Sequence, residues 1–433
     1  MDKLILVTGA TGYIASRLIP RLLDHGYPVR CLAREPLRLN GRSWFRYVEV
    51  IQGDVMTPST LAQALEGVHT AYYLIHNMTY GRGYIARELE GACAFASAAA
   101  KAGAEHIIYL GGLADPKQHI APHMRSRIET GRVLRDGEVP VTEFRAGVIT
   151  GSGSISFEMI RFMTELFPIV PGPTWMKNKS QPIAIQNVID YLFAALENPN
   201  GRGGIFEIGG PDITTYGDLM LRYGRIRGLK RKMILLLGIP LWFMAFGVGL
   251  MTPVPRPIAH ALICGLANDS VVQHAEALKI FPEIKLIDFD SAVKDALEKT
   301  HPSHIERVWD DGERQAKSIK HEGCFIDHQE IKTHTSPENV FQAITRVINN
   351  PNWCVEVNEP NQRVIIRDKS QSAGDKWIEW RVSRTDSPIY LTQTVFFSPR
   401  GLSGFLYRYL LYPIHVINSR ALIWKIAQRS ENQ

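Results

Sequence analysis

The chain has 433 residues, 45% of them hydrophobic and 21% charged, which predicts two or three folded domains and excludes a disordered or fibrous protein. Its net charge of +6 is concentrated in residues 225–232 and 399–433, which favours contact with an anionic surface and argues against a nucleic-acid groove along the chain. The five cysteines are scattered without a CxxC pair, so neither a zinc site nor a disulfide framework is indicated.

The first 34 residues are typical of a strand, a glycine-rich turn, a helix and a second strand. Leu4 to Val7 form a continuous apolar run, as expected of a strand that is covered on both faces. Gly9 and Gly12 lie in the turn, where a side chain would keep a pyrophosphate away from the N–H groups of the helix N-terminus. Because the chain enters this strand directly after Met1-Asp2-Lys3, no signal peptide is predicted and a cytoplasmic location is expected.

The motif TGATGYIA, residues 8–15, resembles the fingerprint TGATGYIG of the extended and atypical short-chain dehydrogenase/reductase superfamily. Ala15 replaces the third glycine, which serves helix–strand packing and can tolerate a methyl group. Strands and helices alternate over the following residues in the same way. The resemblance implies an α/β, Rossmann-like, doubly wound parallel sheet that binds NAD(P).

The same resemblance implies a set of cofactor-binding residues. The second strand ends at Arg34 without the acid that would bind a ribose 2′-hydroxyl, which favours NADP over NAD, although the neighbouring Glu35 leaves NAD open. Asp54 corresponds to the aspartate that holds the adenine amino group in the superfamily. The other expected contacts lie in the glycine-rich turn, beside Asp54 and after the fourth and fifth strands: Thr11, Tyr13, Ile14, Val55, Leu74, His76 and Gly111.

The usual catalytic residues of this superfamily are missing. Gly111 and Gly112 stand where a serine follows the fifth strand, and the only pair with Tyr-x-x-x-Lys spacing is His123 and Arg127. Histidine can donate a proton and arginine can bind the nicotinamide ribose, but the arginine charge should keep the imidazole neutral. His123 is therefore a candidate catalytic acid, a residue that orients cofactor or substrate, or a loop histidine without a chemical role.

Residues 126–163 and 181–192 resemble an atypical branch of the superfamily, which includes NmrA-like regulators and the dinucleotide-binding accessory subunit of respiratory complex I. Many members bind cofactor without known turnover. Two functions stay open: NADPH-dependent reduction or oxidation of a lipophilic carbonyl or alcohol (quinone, isoprenoid or sterol-like), and a non-catalytic NADP(H)-binding regulator or assembly factor. A sugar-nucleotide epimerase fits poorly, because it also needs the missing tyrosine.

The middle of the chain is apolar. Residues 203–220 look like the substrate-lobe strand and helix of the superfamily, and the basic octet 225–232 follows. Residues 233–254 carry no charge over the length of a bilayer span, but several glycines and prolines interrupt them. We expect two short apolar pieces that cover the substrate pocket. A contact of the octet with an anionic membrane surface is the alternative, and a transmembrane helix is less favoured than either.

Residues 301–324 are dense in charge and are predicted to be a linker. After them, strands are expected at 329–335, 363–368, 375–384 and 389–397, Ser336-Pro337-Glu338 is typical of a helix start, and a long helix runs from 403 to about 429. This order resembles the α+β helix-grip, START-like fold, which implies a cavity for a hydrophobic ligand; a packed core without a ligand is the alternative. The predicted domains are therefore 1–300, with the cofactor site and substrate lobe, and 325–433. The oligomeric state stays open.

Overall fold

The structure is a computed structural model. It describes residues 3–39, 42–76, 83–115, 117–118, 120–236, 242–243, 246, 256–304, 319–321, 324–370, 373–383 and 389–431. Its α-helices are α1 (Ala15–Asp24), α2 (Pro58–Leu65), α3 (Tyr84–Lys101), α4 (Pro122–Arg135), α5 (Ile155–Leu166), α6 (Ile185–Glu197), α7 (Tyr216–Ile226), α8 (Arg256–Gly265), α9 (Glu276–Ile280), α10 (Phe289–Glu298), α11 (Pro337–Ile348) and α12 (Gly401–Glu431).

The strands of the first three hundred residues are β1 (Leu4–Thr8), β2 (Val29–Ala33), β3 (Glu49–Gln52), β4 (Val68–Tyr73), β5 (His106–Gly112), β6 (Val141–Ala146), β7 (Ile149–Thr150), β8 (Ile169–Pro173), β9 (Lys179–Ser180), β10 (Ile183–Ala184), β11 (Ile205–Ile208), β12 (Thr214–Thr215) and β13 (Lys232–Leu236). The later strands are β14 (Ile319–His321), β15 (Cys324–Thr333), β16 (Trp353–Glu359), β17 (Arg363–Asp368), β18 (Gly374–Val382) and β19 (Ile389–Pro399).

The N-terminal part is a doubly wound parallel sheet. Seven strands follow the order β11-β6-β5-β4-β1-β2-β3, and every neighbouring pair is parallel. Ile5 and Val7 of β1 pack with α1 and α6 on one face, whereas Leu6 packs with α2 and α3 on the other. Alternate residues of one apolar strand are thus buried on opposite faces, so the predicted α/β Rossmann-like fold is confirmed.

One prediction about the substrate lobe is wrong. Residues 203–220 were expected to supply its strand and helix, but β11 is an edge strand of the parallel sheet and pairs with β6, with Phe206 opposite Phe144. Both rings pack with Phe281, which fixes the strand there. The apolar pattern of β11 fits either location, and only the packing partner decides between them. Helix α7 lies outside the parallel sheet and shares a core with α5, α8 and α10.

The apolar segment 233–254 lies largely outside the described residues. Its first residues continue β13, which pairs in parallel with β8. Beyond Leu236 only residues 242, 243 and 246 of the segment are described, so the expected pair of apolar pieces stays a prediction. Within the described ranges, no helix combines the length and the hydropathy needed to cross a bilayer.

The C-terminal part contains a second sheet. Six antiparallel strands follow the order β14-β15-β19-β18-β17-β16, and α11 and α12 pack on it around Trp380. Ser336 caps α11 by accepting a hydrogen bond from the Asn339 amide, as expected of a helix start. The linker prediction is wrong for residues 319–321 and 324, because they lie in β14 and β15; residues 305–318 are outside the description. Strand β16 was not predicted, since its residues are mostly exposed and lack a clear alternation.

Helix α5 joins the two parts. The guanidinium of Arg161 is buried and donates to Ser398 Oγ at 2.9 Å, while the same residue pairs with Glu158 at 3.3 Å. Glu165 accepts a hydrogen bond from the Gly401 amide, which is the first residue of α12. Phe162 adds an apolar contact to Phe325 and Phe405. The C-terminal part is therefore packed on one face of α5, whose other face shares a core with α7, α8 and α10.

Candidate functional site

The glycine-rich turn excludes side chains at two positions. Gly9 has φ +67°, and a Cβ there would lie 2.7 Å from the Leu74 carbonyl oxygen; a Cβ on Gly12 would lie 3.0 Å from the Gly9 oxygen. Thr8 fixes the turn to the end of β4, because its hydroxyl donates to the Tyr72 carbonyl and accepts from the Leu74 amide. Among the described residues, no side chain caps the start of α1. The turn therefore fits a dinucleotide pyrophosphate, which needs this close approach to the backbone.

One contact on the other side of this turn could not be predicted from the sequence. The Arg17 guanidinium stacks 3.9 Å from the Tyr13 ring and donates to the Ser152 carbonyl at 2.9 Å. A Cβ on Gly151 would lie 2.5 Å from the Tyr13 hydroxyl, so the loop after β7 approaches closely. Thr11 is exposed at the tip of the turn, and Ile14 is half-buried beneath it. Arg17 has no counterpart in the fingerprint, so only the fold relates it to this site.

The residues predicted for the adenosine end lie at one sheet edge. Arg34 directly follows β2 and is exposed, while Asp54 follows β3, the neighbouring parallel strand. The Asp54 carboxylate accepts a hydrogen bond from the Met56 amide at 3.0 Å, which holds it in place, and Val55 is buried beside it. Glu35 pairs with Arg38 at 3.7 Å, so the nearby acid is directed toward a second arginine.

His123 and Arg127 lie one turn apart on α4 and both line one cavity. The His123 side chain is only 5% exposed, and within the described chain its buried Nδ1 has no hydrogen-bond partner. Burial, and next the charge of Arg127, lower the pKa of His123 to about 4. The imidazole is thus neutral at neutral pH, as expected from the sequence. Helix α8 closes over it, since a Cβ on Gly265 would lie 2.9 Å from the ring.

The other two predicted residues near the nicotinamide end differ in position. His76 follows β4, and desolvation together with the Arg127 charge holds its pKa well below the usual range. Gly111 is inside β5 and faces Tyr109 and Glu143, whereas the residues that follow the strand, Leu113 and Ala114, line the cavity.

The cavity beside His123 is large and apolar. Its volume is about 210 Å³, and it lies between α4, α5, α7 and α8. Most of its wall consists of thioether, aliphatic and aromatic side chains: Met124, Met159, Met163, Trp175, Ile263 and Leu266. Such a wall fits an apolar or aromatic compound and offers little to a sugar nucleotide.

Tyr216, the first residue of α7, also lines this cavity. Burial raises its pKa to about 12, although hydrogen bonds with Ser180 and Ser270 act in the opposite direction. A tyrosine with this pKa is a hydrogen-bond donor at neutral pH. Sequence reasoning missed it, because Tyr216 lies on another helix, far along the chain from the place of the usual catalytic tyrosine.

A second cavity of about 210 Å³ lies in the C-terminal part, between the sheet and α12. Trp353, Phe397 and Leu422 form its apolar wall. Its other side is polar, because Arg408 and Asp327 make a buried ion pair at 2.7 Å beside it.

The chain can now be compared with known proteins that share its order of parallel strands and its glycine-rich turn. Residues 1–200 match the NmrA-like family. A (4-alkanoyl-5-oxo-2,5-dihydrofuran-3-yl)methyl phosphate reductase of Streptomyces griseus is 29% identical over 60% of this chain and 85% of the relative. The photosystem II assembly factor Ycf39 of Cyanophora paradoxa is 26% identical over 53% of this chain and 70% of the relative. Relatives of the NmrA-like part thus include a reductase and an assembly factor.

Solved structures show the same fold. A Citrobacter sp. triphenylmethane reductase complexed with NADP(H) aligns with a TM-score of 0.55 and 20% identity, over 67% of this chain and 99% of that one. The NADPH-dependent quinone oxidoreductase of Escherichia coli, complexed with NADPH, aligns with a TM-score of 0.55 and 17% identity, over 67% and 98%. The N-terminal part therefore shares the fold of these two reductases.

Proposed function

We propose that this chain binds NADP(H) at the edge formed by β1, β2 and β3, and reduces a lipophilic carbonyl or quinone-like compound in the cavity beside His123. The observation that carries this proposal is the position of the apolar cavity, which opens onto His123 and Arg127 at the carboxyl ends of the parallel strands. When bound, the cofactor supplies a hydride and leaves as NADP⁺. Arg127 would hold the cofactor ribose.

His123 would act on the oxygen that is reduced. Because its imidazole is neutral, it can donate one N–H hydrogen bond to that oxygen and stabilise the negative charge that develops there as the hydride arrives, while water supplies the proton. The acceptor then gains one hydride and one proton, which balances the reduction. Tyr216, which lines the same cavity, would offer a second hydroxyl donor.

A non-catalytic role is the second candidate. The low pKa of His123 makes an imidazolium acid rare at neutral pH, and Gly111 and Gly112 replace the usual serine. One relative of this region is an assembly factor. In this alternative, bound NADP(H) would set the conformation of the protein without being consumed.

Turnover of NADPH separates the two candidates. We expect the purified protein to oxidise NADPH in the presence of at least one member of a panel of quinones and lipophilic ketones, measured by the loss of NADPH absorbance. Mass spectrometry of compounds retained on purification would guide the panel. Tight NADPH binding without oxidation above background would favour the regulator instead.

Arg34 should set the choice between the two nicotinamide cofactors. A guanidinium can make charge-assisted hydrogen bonds to the ribose 2′-phosphate, so wild type should bind NADPH at least about tenfold more tightly than NADH. Arg34→Ala should erase this preference in calorimetry. Arg132→Ala is the matched control, because Arg132 is also exposed but lies in the last turn of α4. Equal wild-type affinities for the two cofactors would contradict the assignment.

For the C-terminal part we propose a START-like domain over residues 325–433, joined to a cofactor-binding domain over residues 1–300. The antiparallel sheet, the long α12 and the cavity between them support this proposal. Its ligand would be a lipophilic compound with a polar end, because the apolar wall of Trp353, Phe397 and Leu422 is bordered by the Arg408–Asp327 pair and by the polar side chains of Lys376, His415, Asn418 and Ser419.

A further inference from the structure

Helix α12 exposes an apolar stripe along most of its length. Leu410 is 72% exposed and Ile417 is 66% exposed, although both are large aliphatic side chains. The exposed members recur at intervals of three, four or seven residues, which places them on one helix face. This stripe consists of Leu402, Leu406, Leu410, Ile414, Ile417 and Trp424.

The opposite face of α12 is committed to the protein interior. Phe405, Ile423 and Ile426 are buried and pack against the C-terminal sheet or α5. The stripe therefore cannot turn inward without unpacking the domain. It extends over about 33 Å at the rise of an α-helix. Soluble monomers rarely expose a continuous apolar surface of this size unless it binds something.

The exposed charges beside the stripe are positive. Arg420 and Lys425 flank it on either side of the helix, and Arg429 follows in the last turn. The only acidic residue of α12 is Glu431, its last residue. A surface of this composition, apolar in the middle and cationic at its borders, is typical of helices that lie in the interface of an anionic bilayer.

The basic octet 225–232 continues this surface at the first turn of α12. The Arg400 guanidinium donates to the Arg227 carbonyl at 3.3 Å, and a Cβ on Gly401 would lie 3.4 Å from Leu229. Two of the five cationic side chains of the octet are engaged within the protein, however. Arg227 pairs with Glu165 at 3.1 Å, and Arg231 donates to the Thr164 carbonyl at 2.6 Å.

The other cationic residues of the octet, Arg225, Lys230 and Lys232, are exposed. They precede the exposed apolar side chains of Ile234 and Leu235 in β13. The octet thus contributes three accessible charges and an apolar edge to the same end of the molecule.

We propose that the α12 stripe, with its flanking cations, docks this protein on the surface of an anionic lipid bilayer. The helix would lie parallel to the membrane plane, because its opposite face is packed on the protein. Trp424 suits this position, since its ring is apolar and its N–H can reach the headgroups. A second copy of the chain is the poorer occupant, because pairing two such faces would bring cations against cations.

Sedimentation with vesicles tests this proposal. The full-length protein should bind vesicles of phosphatidylcholine with phosphatidylglycerol, and binding should weaken as salt is added. Leu410→Gln combined with Ile417→Gln should reduce binding at least about tenfold, because it removes exposed apolar area without touching the core. Arg420→Gln combined with Lys425→Gln should weaken binding and flatten its salt dependence. Leu278→Gln is the matched control, since Leu278 is 44% exposed on α9 and lies outside the stripe.

The vesicle experiment can either support or overturn the proposal. Loss of binding in the stripe variant, with the Leu278 variant unchanged and NADPH binding intact in both, supports the proposal. Three results would overturn it: no binding to anionic vesicles at low salt, equal binding to phosphatidylcholine alone, or a dimer in light scattering that the stripe variant converts to monomer.

Discussion

Gly9→Val and Gly12→Val should each weaken NADPH binding at least about 100-fold. A side chain at either position occupies the space through which a pyrophosphate reaches the amides of α1. At Gly9 the added Cβ would lie 2.7 Å from the Leu74 carbonyl, and at Gly12 3.0 Å from the Gly9 carbonyl. Isothermal titration calorimetry with NADPH measures the affinity that each variant loses.

The two variants differ in their risk to the fold. Gly9 has a positive φ that valine rarely adopts, whereas Gly12 does not, so a folded Gly12→Val protein keeps the test valid if Gly9→Val misfolds. Gly26→Asn is the control: Gly26 also has a positive φ, has open space around it, and lies beyond the end of α1. Circular dichroism checks each fold. Retained NADPH affinity in a folded Gly12→Val protein would mean that the glycine cradle does not bind the cofactor.

His123→Ala should reduce kcat about 100-fold or more, if the protein is a reductase, while NADPH affinity barely changes. Removing a positioned hydrogen-bond donor to the developing oxyanion typically costs this much, whereas the cofactor is held elsewhere. His123→Gln should retain part of the rate, because its amide keeps an N–H donor. Arg127→Ala should instead weaken cofactor binding, since it removes a charged hydrogen bond to the ribose.

The pH profile gives an independent check on His123. Its pKa of about 4 means that the neutral form prevails at all higher pH values, so kcat should stay flat from about pH 5.5 to 8. An imidazolium acid of ordinary pKa would instead lose activity as the pH rises through about 6.5. His25→Ala, an exposed histidine at the end of α1, is the control. Turnover that does not respond to His123→Ala would assign the hydrogen bond to the developing oxyanion to another group, and Tyr216→Phe would be examined next.

The parallel sheet and the cofactor turn could be predicted from the sequence because their signals are local. The apolar run of β1 can be buried on both faces only when helices cover both sides of the sheet. Gly9 and Gly12, which the tight turn requires, follow this run within a few residues. The sequence predicted a neutral His123 from the charge of Arg127 one helical turn away, but the larger cause of its low pKa is burial beneath α8, which only the fold supplies.

Other parts depended on contacts that are distant along the chain. The apolar residues of β11 fit a lobe strand or a sheet edge equally, until Phe206 packs against Phe144. Tyr216 joins His123 at the cavity only because α7 packs beside α5. No local pattern contains information about such pairings.

The sequence by itself determined where the charges and apolar side chains are, but not which of them the fold would use. Arg227 and Arg231 look the same as Lys230 and Lys232 in the basic octet, yet burial against α5 takes the two arginines into the protein. The tyrosines and leucines of the C-terminal helix suggested an ordinary core. Tertiary packing decided otherwise, because a helix on the surface of a sheet can bury only one face. The apolar residues on the other face of α12 were left in contact with solvent.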